Sequence, residues 1–280
     1  MNFDEIIDFL LKRADSSAID LVAPPITSES IASAVHEAIN EAEKAIGEES
    51  LKGDYYQCCK DRFFTLVSMA IENLSPGSRV LDIGNAPGYL AIMLDKAGYS
   101  IDGINLSDAW NSTYPDLSYV DHFRVKACDI EKSSLPYLDG TFDAIVFTEV
   151  LEHIAIRHPR DLLPEFRRVL RPGGSILFST PNVCNVSNVV SLLAGNNIFW
   201  DSDIFFGGTD RHNREFTPRE VRELFESGGF STKEYFGIND HANWRAGSAH
   251  HIYDYQATHG DVDHPLMRNT IIGVFTKTSD

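Results

Sequence analysis

The sequence predicts an α/β fold: a mostly parallel sheet of seven strands with helices on both faces, preceded by a helical extension. Three observations carry this expectation. From Arg79 onward, short apolar runs of strand length alternate with stretches of helical spacing. One run, Val80-Leu81-Asp82-Ile83, leads into a turn bounded by Gly84 and Gly88 that opens a helix near Tyr89. The first 75 residues, by contrast, contain no strand-like run.

In the extension, residues 3–11 and 31–46 carry apolar side chains at helical spacing, separated by the break at Pro24-Pro25. Residues 62–74 read as a third helix, ending before Ser75-Pro76-Gly77. Strands are then expected at 79–83, 100–105, 122–127, 142–147 and 175–180. Residues 195–208, rich in Asn, Gly, Asp and aromatics, read as irregular. Thr217-Pro218-Arg219-Glu220 has the form of a capping box with Pro at the first helical position, and Gly228-Gly229 stops that helix. Two last strands, 231–236 and 269–276, flank a long connection holding His241, His250, His251, His259 and His264, of the kind that often serves as a lid or binding loop. The expected organisation is a helical extension or lid over 1–75 and an α/β domain over 76–280, with insertions near 183–212 and 238–268.

With 280 residues the chain is long enough to bury a full core, and 43% hydrophobic with 23% charged residues is ordinary for a globular protein. No apolar run approaches the roughly 20 residues that a membrane span requires. The formal net charge of -17 opposes binding to nucleic acid or to anionic membranes, because phosphate contacts need a basic surface. The start Met1-Asn2-Phe3-Asp4-Glu5 is acidic where a secretory signal is basic, so a cytoplasmic location is expected. Four cysteines, two of them adjacent at Cys58 and Cys59, match neither a disulfide framework nor a zinc spacing. A small-molecule partner is the remaining expectation, and a homodimer is compatible with all of this.

The turn after Ile83 suits a nucleotide-like ligand: glycine at both ends lets the main chain turn tightly and approach it, while Asp82 places a carboxylate where a cationic group is held. A dinucleotide asks for G-x-G-x-x-G, whereas the glycines here are spaced G-x-x-x-G with Ala86 between them. Leu81 to Gly88 instead resembles the first motif of the class I S-adenosylmethionine (SAM) dependent methyltransferases, D-x-G-x-G-x-G, with Ala86 at the middle glycine. Further segments resemble the same Rossmann-like family in the same order. Gly103-Ile104-Asn105-Leu106-Ser107 is similar to its G-h-D-h-S, with Asn105 at the acidic position. Leu135 to Asp143 follows L-P-F-x-D-x-S-F-D, and Arg168 to Gly174 is similar to its turn into the fifth strand. The resemblance covers about 79–230, roughly the middle half of the chain.

That resemblance implies a SAM pocket. Asp82, Gly84, Asn85 and Gly88 would form one wall, Asn105 would meet the ribose hydroxyls with Leu106 beside it, and Asp129 would accept from the adenine amino group while the Ile130 backbone meets the ring. Thr148 and Glu149, at the end of the fourth strand, would lie above the reacting sulfonium. Asn105 can accept from one hydroxyl and donate to the other, without the charge assistance of an acid.

Glu149-Val150-Leu151-Glu152-His153 admits two readings. At i, i+3 and i+4 on a helix, Glu149, Glu152 and His153 project from one face, and with His212 they would suit Mg, Mn or Fe. The spelling, with a later His, resembles metal-assisted small-RNA 2′-O-methyltransferases and ubiquinone-pathway O-methyltransferases. Alternatively the carboxylates favour a helix N-terminus, and His153 is packed or acts as a general base. His153, His212 or a histidine of the late connection is the candidate proton acceptor. Tyr55, Tyr56, Phe63 and Phe64 would cover the cofactor or pack the core. Trp200, Phe205, Phe206 and Trp244 would face an apolar or planar acceptor or form a satellite core.

The expected function is SAM-dependent methyl transfer to an oxygen or nitrogen of a small molecule. Two alternatives remain: a non-methyl use of SAM such as its cyclisation, and a non-catalytic SAM-binding subunit.

Overall fold

The computed structural model describes residues 28–207, 211–240 and 265–279, together with Glu5. Residues 3–11, all five histidines of the late connection and Trp244 therefore lie outside the described residues, apart from Glu5.

Seven strands form one sheet: β1 (Arg79–Ile83), β2 (Ser100–Asn105), β3 (Lys126–Ala127), β4 (Phe142–Thr148), β5 (Leu170–Pro181), β6 (Phe230–Ile238) and β7 (Thr270–Lys277). Their order is β3-β2-β1-β4-β5-β7-β6. The pairs from β3 to β5 are parallel, and β7 runs antiparallel to both β5 and β6. The strand order reverses between β1 and β4, so a crevice opens beyond their carboxyl ends, where open α/β sheets bind ligands.

Strand alternation assigns successive side chains to two cores. Val80, Ile101, Val146 and Leu177 face one side, and Leu81, Ile145, Phe147 and Ile176 face the other. The first face is covered by α1 (Glu29–Ile46), α2 (Asp54–Asn73) and α3 (Tyr89–Lys96). The extension thus shares the core of the sheet. In α1, Val35, Ala38, Ala42 and Ile46 make the buried stripe, Ser28 Oγ caps the start by accepting from Ile31 N, and Gly47 ends it at φ 86°. The second face is covered by α5 (Leu163–Val169) and α8 (Pro218–Ser227); α4 (Ser118–His122) precedes α5, and α6 (Val186–Leu193) and α7 (Ser202–Gly207) lie between α5 and α8 in the chain. The capping box of α8 forms as expected: Thr217 Oγ1 accepts from Glu220 N, and Glu220 Oε2 accepts from Thr217 N at 2.9 Å.

Three elements differ from the sequence expectation. The helix expected from 62 begins at Asp54, because Tyr56 and Cys59 continue the buried stripe one turn at a time toward Phe63 and Leu66. The strand expected over 122–127 shrinks to Lys126–Ala127. There Asp116 Oδ1 accepts from Ser118 N to start α4, Phe123 plugs the first core, and Arg124 at φ 50° redirects the chain. β5 begins at Leu170, with a register irregularity opposite Phe142 and Ala144 that absorbs the Pro172-Gly173-Gly174 turn. Among the described residues no helix is long and apolar enough to cross a membrane.

Candidate active site

The turn after β1 is held by its own backbone. Gly84 N and Asn85 N both donate to Ile104 O, at 2.8 and 3.1 Å, tying the loop to β2. Gly84 adopts φ 80°, and a Cβ there would come within 2.4 Å of Val150 Cγ2, so neither conformation nor space admits a side chain. Gly88, at φ 86°, opens α3 in the same way, with the Tyr114 ring 2.6 Å from where its Cβ would be.

Beneath this loop Asp82 is buried and accepts from Asn85 Nδ2 at 2.7 Å. Burial pushes its carboxyl up to about 7, with the Asn85 bond opposing the shift. Asn105, also buried, accepts from Ala86 N on Oδ1 at 2.9 Å and donates from Nδ2 to the Tyr114 hydroxyl at 3.3 Å. Leu106 follows with 61% of its surface exposed, an apolar platform at the rim. It lines a cleft of about 410 Å³ together with Ser107, Cys128, Asp129 and Pro136. Asp129 accepts from Glu131 N and from Lys132 Nζ, and these partners hold its carboxyl below the usual range, the lysine foremost. The Ile130 side chain packs against the second core.

At the end of β4, Thr148 is half-buried and pairs with Ser179. Glu149 then takes φ 54° and turns toward β5 and α2. Its N donates to Ser179 O, its Oε1 accepts from Ser179 Oγ at 2.7 Å, and its Oε2 lies 3.2 Å from Arg62 Nη1. Arg62 was not among the residues expected in the site. It is 2% exposed and also pairs with Asp240 at 2.9 Å, while Asp240 accepts from Thr270 Oγ1. The available signal was an arginine at the buried helical spacing set by Cys59 and Leu66, a position that otherwise takes an apolar residue.

This geometry corrects the expected set of four. Glu149, Glu152 and His153 do not share a helical face: only a three-residue 3₁₀ turn, Leu151–His153, follows the strand, and the left-handed Glu149 precedes it. Glu152, His153 and His212 do converge, with one ligand atom from each within 4.8 Å of the others. Glu152 is 1% exposed, and Thr180 Oγ1 donates to its Oε2 at 2.9 Å, while Oε1 has no hydrogen-bond partner among the described residues and lies 3.9 Å from His153 Nε2. Burial first, and Glu149 second, push this carboxyl well above its ordinary range. His153 Nδ1 lies 3.0 Å from Arg211 O, and His212 Nδ1 lies 2.9 Å from Glu215 Oε1. Because a carbonyl only accepts, His153 carries its proton on Nδ1, and an ionised Glu215 imposes the same tautomer on His212. Backbone bonds bring the distant histidine in: Asn213 N donates to Glu152 O, and Asn213 Nδ2 to His153 O, both at 2.7 Å. The two imidazoles meet edge to face at 5.1 Å, and Trp200 packs on His212 at 5.3 Å.

The other expected cover residues divide. Tyr56, bonded to Glu43, and Phe63 are buried in the first core, and Phe64 packs on His36. Tyr55 lies partly exposed against Tyr89, at the start of α3. Phe206 is exposed, while Phe205 sits under the Arg211 guanidinium.

A glycine-bounded turn at the switch point, with polar residues at the ends of the next strands, defines a Rossmann-like protein built to hold an adenosine-type ligand. A family profile described as a methyltransferase domain matches residues 55–235, and the chain belongs to that family, the class I SAM-dependent methyltransferases. The mitochondrial ubiquinone biosynthesis O-methyltransferase of Dictyostelium discoideum is 26% identical over 174 residues, covering 58% of this chain and 52% of that protein. The Thiobacillus denitrificans enzyme of the same name is 28% identical, covering 58% and 68%, and the Homo sapiens mitochondrial one 28%, covering 58% and 44%. The chain thus spans about half the length of the first of these relatives. Among solved structures, a putative sarcosine dimethylglycine methyltransferase from Galdieria sulphuraria superposes with TM-score 0.55 at 14% identity, covering 99% of each chain. The [4+2]-cyclase SpnF superposes with TM-score 0.56 at 16% identity, covering 93% of this chain and 99% of its own. Both show the shared fold.

The residues present fit SAM. Two glycines at positive φ let the loop turn tightly, Leu106 offers an exposed apolar platform, and Asp82 is a buried carboxyl that a cationic amino group would ionise.

Proposed function

We propose that the protein transfers a methyl group from SAM to an oxygen of a small-molecule acceptor, at the mouth formed by the ends of β4 and β5. The observation that carries this reading is the convergence of Glu152, His153 and His212 beside the strand end that follows Asp82, Asn105 and Asp129 in the sheet. The names of the curated relatives support oxygen over nitrogen.

SAM supplies a methyl group already activated on a positive sulfur, so the chain has to position, exclude water and remove a proton. Asp82 and the Gly84–Gly88 turn hold the amino acid end, Asn105 the ribose, and Asp129 with the Ile130 backbone the adenine. With Nδ1 protonated on both rings, an Nε2 is the nitrogen that takes the acceptor's proton. Trp200 against His212 suits a planar acceptor.

The same three groups fit a divalent ion. Glu152 Oε1 is buried without a hydrogen-bond partner among the described residues, and both imidazoles anchor Nδ1 to an acceptor, the arrangement that orients a ligating histidine. Two nitrogens and one oxygen suit Mn or Fe, and such an ion would lower the pKa of an acceptor hydroxyl. Glu149, engaged by Arg62 and Ser179, stands outside this set.

The test is incubation of the purified chain with SAM and a panel of phenols, catechols and amines, followed by mass spectrometry. A methylated phenol with S-adenosylhomocysteine is the expected product. Methylthioadenosine in its place would assign SAM cyclisation, and SAM binding without turnover a non-catalytic subunit. Activity that survives exhaustive chelation would remove the metal and leave the histidine as base.

A further inference from the structure

The residue at the end of β2 departs from the family's acid, and its surroundings give a reason. The hydrogen bonds there run in one direction. Asn105 Oδ1 accepts from Ala86 N at 2.9 Å, and Asn105 Nδ2 donates to the Tyr114 oxygen at 3.3 Å. The Tyr114 hydroxyl donates to Asn85 Oδ1, and Asn85 Nδ2 donates to Asp82 Oδ2 at 2.7 Å. All four side chains are buried, so water does not substitute freely for a missing partner.

Tyr114 is the pivot of this chain. A phenol has one proton, and here it is committed to Asn85, so toward residue 105 the oxygen can only accept. An amide supplies the donor; a carboxylate does not. With Asp at 105, the Tyr114 proton would have to turn to the new carboxylate, leaving Asn85 Oδ1 facing an oxygen with no proton between them. Flipping the Asn85 amide only moves the conflict, because Oδ1 would then face an Asp82 that has no proton to give once it is ionised. With Asp82 ionised, as a bound cationic group requires, the chain would be one proton short wherever the defect is put. The ring itself is fixed against Gly88, whose missing Cβ leaves the space it occupies.

We propose that Tyr114 is the positioning residue for the ribose end of the cofactor site, and that its single proton makes asparagine, rather than the usual acid, the residue that fits at 105. Two of the Asn105 bonding positions are taken by Ala86 and Tyr114. The second lone pair on Oδ1 and the second N–H then address the two vicinal hydroxyls, one as acceptor and one as donor. The proposal rests on SAM being the cofactor; its account of the Tyr114 proton does not.

A double-mutant cycle on the purified full-length chain tests it, read by calorimetric titration with SAM and S-adenosylhomocysteine and by thermal melts of the unliganded proteins. Asn105→Asp, which restores the family acid, is expected to weaken SAM binding about tenfold and to lower the melting temperature. In a Tyr114→Phe background the same change is expected to leave binding unchanged or improve it, since phenylalanine has no proton to misplace. Tyr114→Phe alone keeps the ring, and is expected to weaken SAM binding by about 3–10-fold by releasing the Asn105 amide. Three results would overturn the proposal: tighter SAM binding by Asn105→Asp in the parent, equal effects of that change in both backgrounds, or unchanged binding by Tyr114→Phe. Failure of the parent protein to bind SAM would instead strike the cofactor reading, and the melting cycle of the unliganded proteins would still decide the role of the Tyr114 proton. If Asn105→Asp does not fold alone but folds together with Tyr114→Phe, that rescue supports the proposal; if it folds in neither background, the Tyr114→Phe titration decides.

Discussion

At the ends of β1 and β2, Asp82, Asn85, Tyr114 and Asn105 satisfy one another in an unbroken chain of hydrogen bonds. At the ends of β4 and β5, Glu152 keeps one buried oxygen without a hydrogen bond among the described residues, and Arg62 is shared between Glu149 and Asp240. The side proposed for the cofactor is closed on itself before any ligand arrives, and the side proposed for the acceptor is not. A self-satisfied network costs little to maintain and presents a fixed shape. A buried, incompletely paired carboxyl costs stability, and it persists where the unpaired atom has work to do in a complex.

The largest effect is expected at the unsatisfied side. Glu152→Gln keeps the shape and the bond from Thr180 in reach but removes the carboxyl beside His153, and kcat/KM is expected to fall about 10²–10⁴-fold with the fold retained by circular dichroism. A loss of under about threefold would mean that the two sides do not differ in function.

Stability gives the next contrast. Arg62→Met leaves Glu149 and Asp240 facing each other in a buried site and is expected to cost about 3–5 kcal/mol in urea unfolding. A loss below about 1 kcal/mol would mean that the network behaves like a surface pair.

The cofactor side makes a pH prediction. The Asp82 carboxyl, raised to about 7 by burial, contributes to the stability of the unliganded fold fully at low pH, and that contribution is lost as pH rises from its ordinary range through 7. A bound cation requires the ionised form, so SAM affinity is expected to fall by up to about tenfold per pH unit below 7, with proton release on binding. Calorimetry in two buffers of different ionisation enthalpy reads the released proton. Asp82→Asn is expected to abolish both the release and the slope.

The smallest effect is expected far from either side. Thr217→Ala removes the cap of α8 and should cost about 1 kcal/mol without altering SAM affinity. A change in affinity there would show that the two sides are not the only determinants of binding.

The two sides also differ in how far they could be read from the chain. β1, β2 and the start of α3 fall where apolar runs and Gly84 and Gly88 put them, and Asp82, Asn105 and Asp129 stand at consecutive strand ends, because strand period and turn chemistry are local. The order of segments was enough for the methyltransferase family and for SAM as its cofactor. The helical face expected for Glu149, Glu152 and His153 failed on a local detail, the left-handed Glu149, which no side-chain pattern announces. β3 failed because alternation in a short segment does not distinguish an edge strand from a helical turn that plugs the core with Phe123.

By itself, then, the sequence determined the α/β class, the strand ends that face the crevice and the chemistry of the loop between Gly84 and Gly88. Periodicity, capping and glycine tolerance act within a few residues, and each is written in the segment that obeys it. Only the tertiary structure decided that Arg62 closes on Glu149 and Asp240, that His212 reaches Glu152 and His153, and that Tyr114 accepts from Asn105. Those contacts join residues far apart in the chain or set by loop conformation, and their energetics depend on burial and on which partner holds each proton.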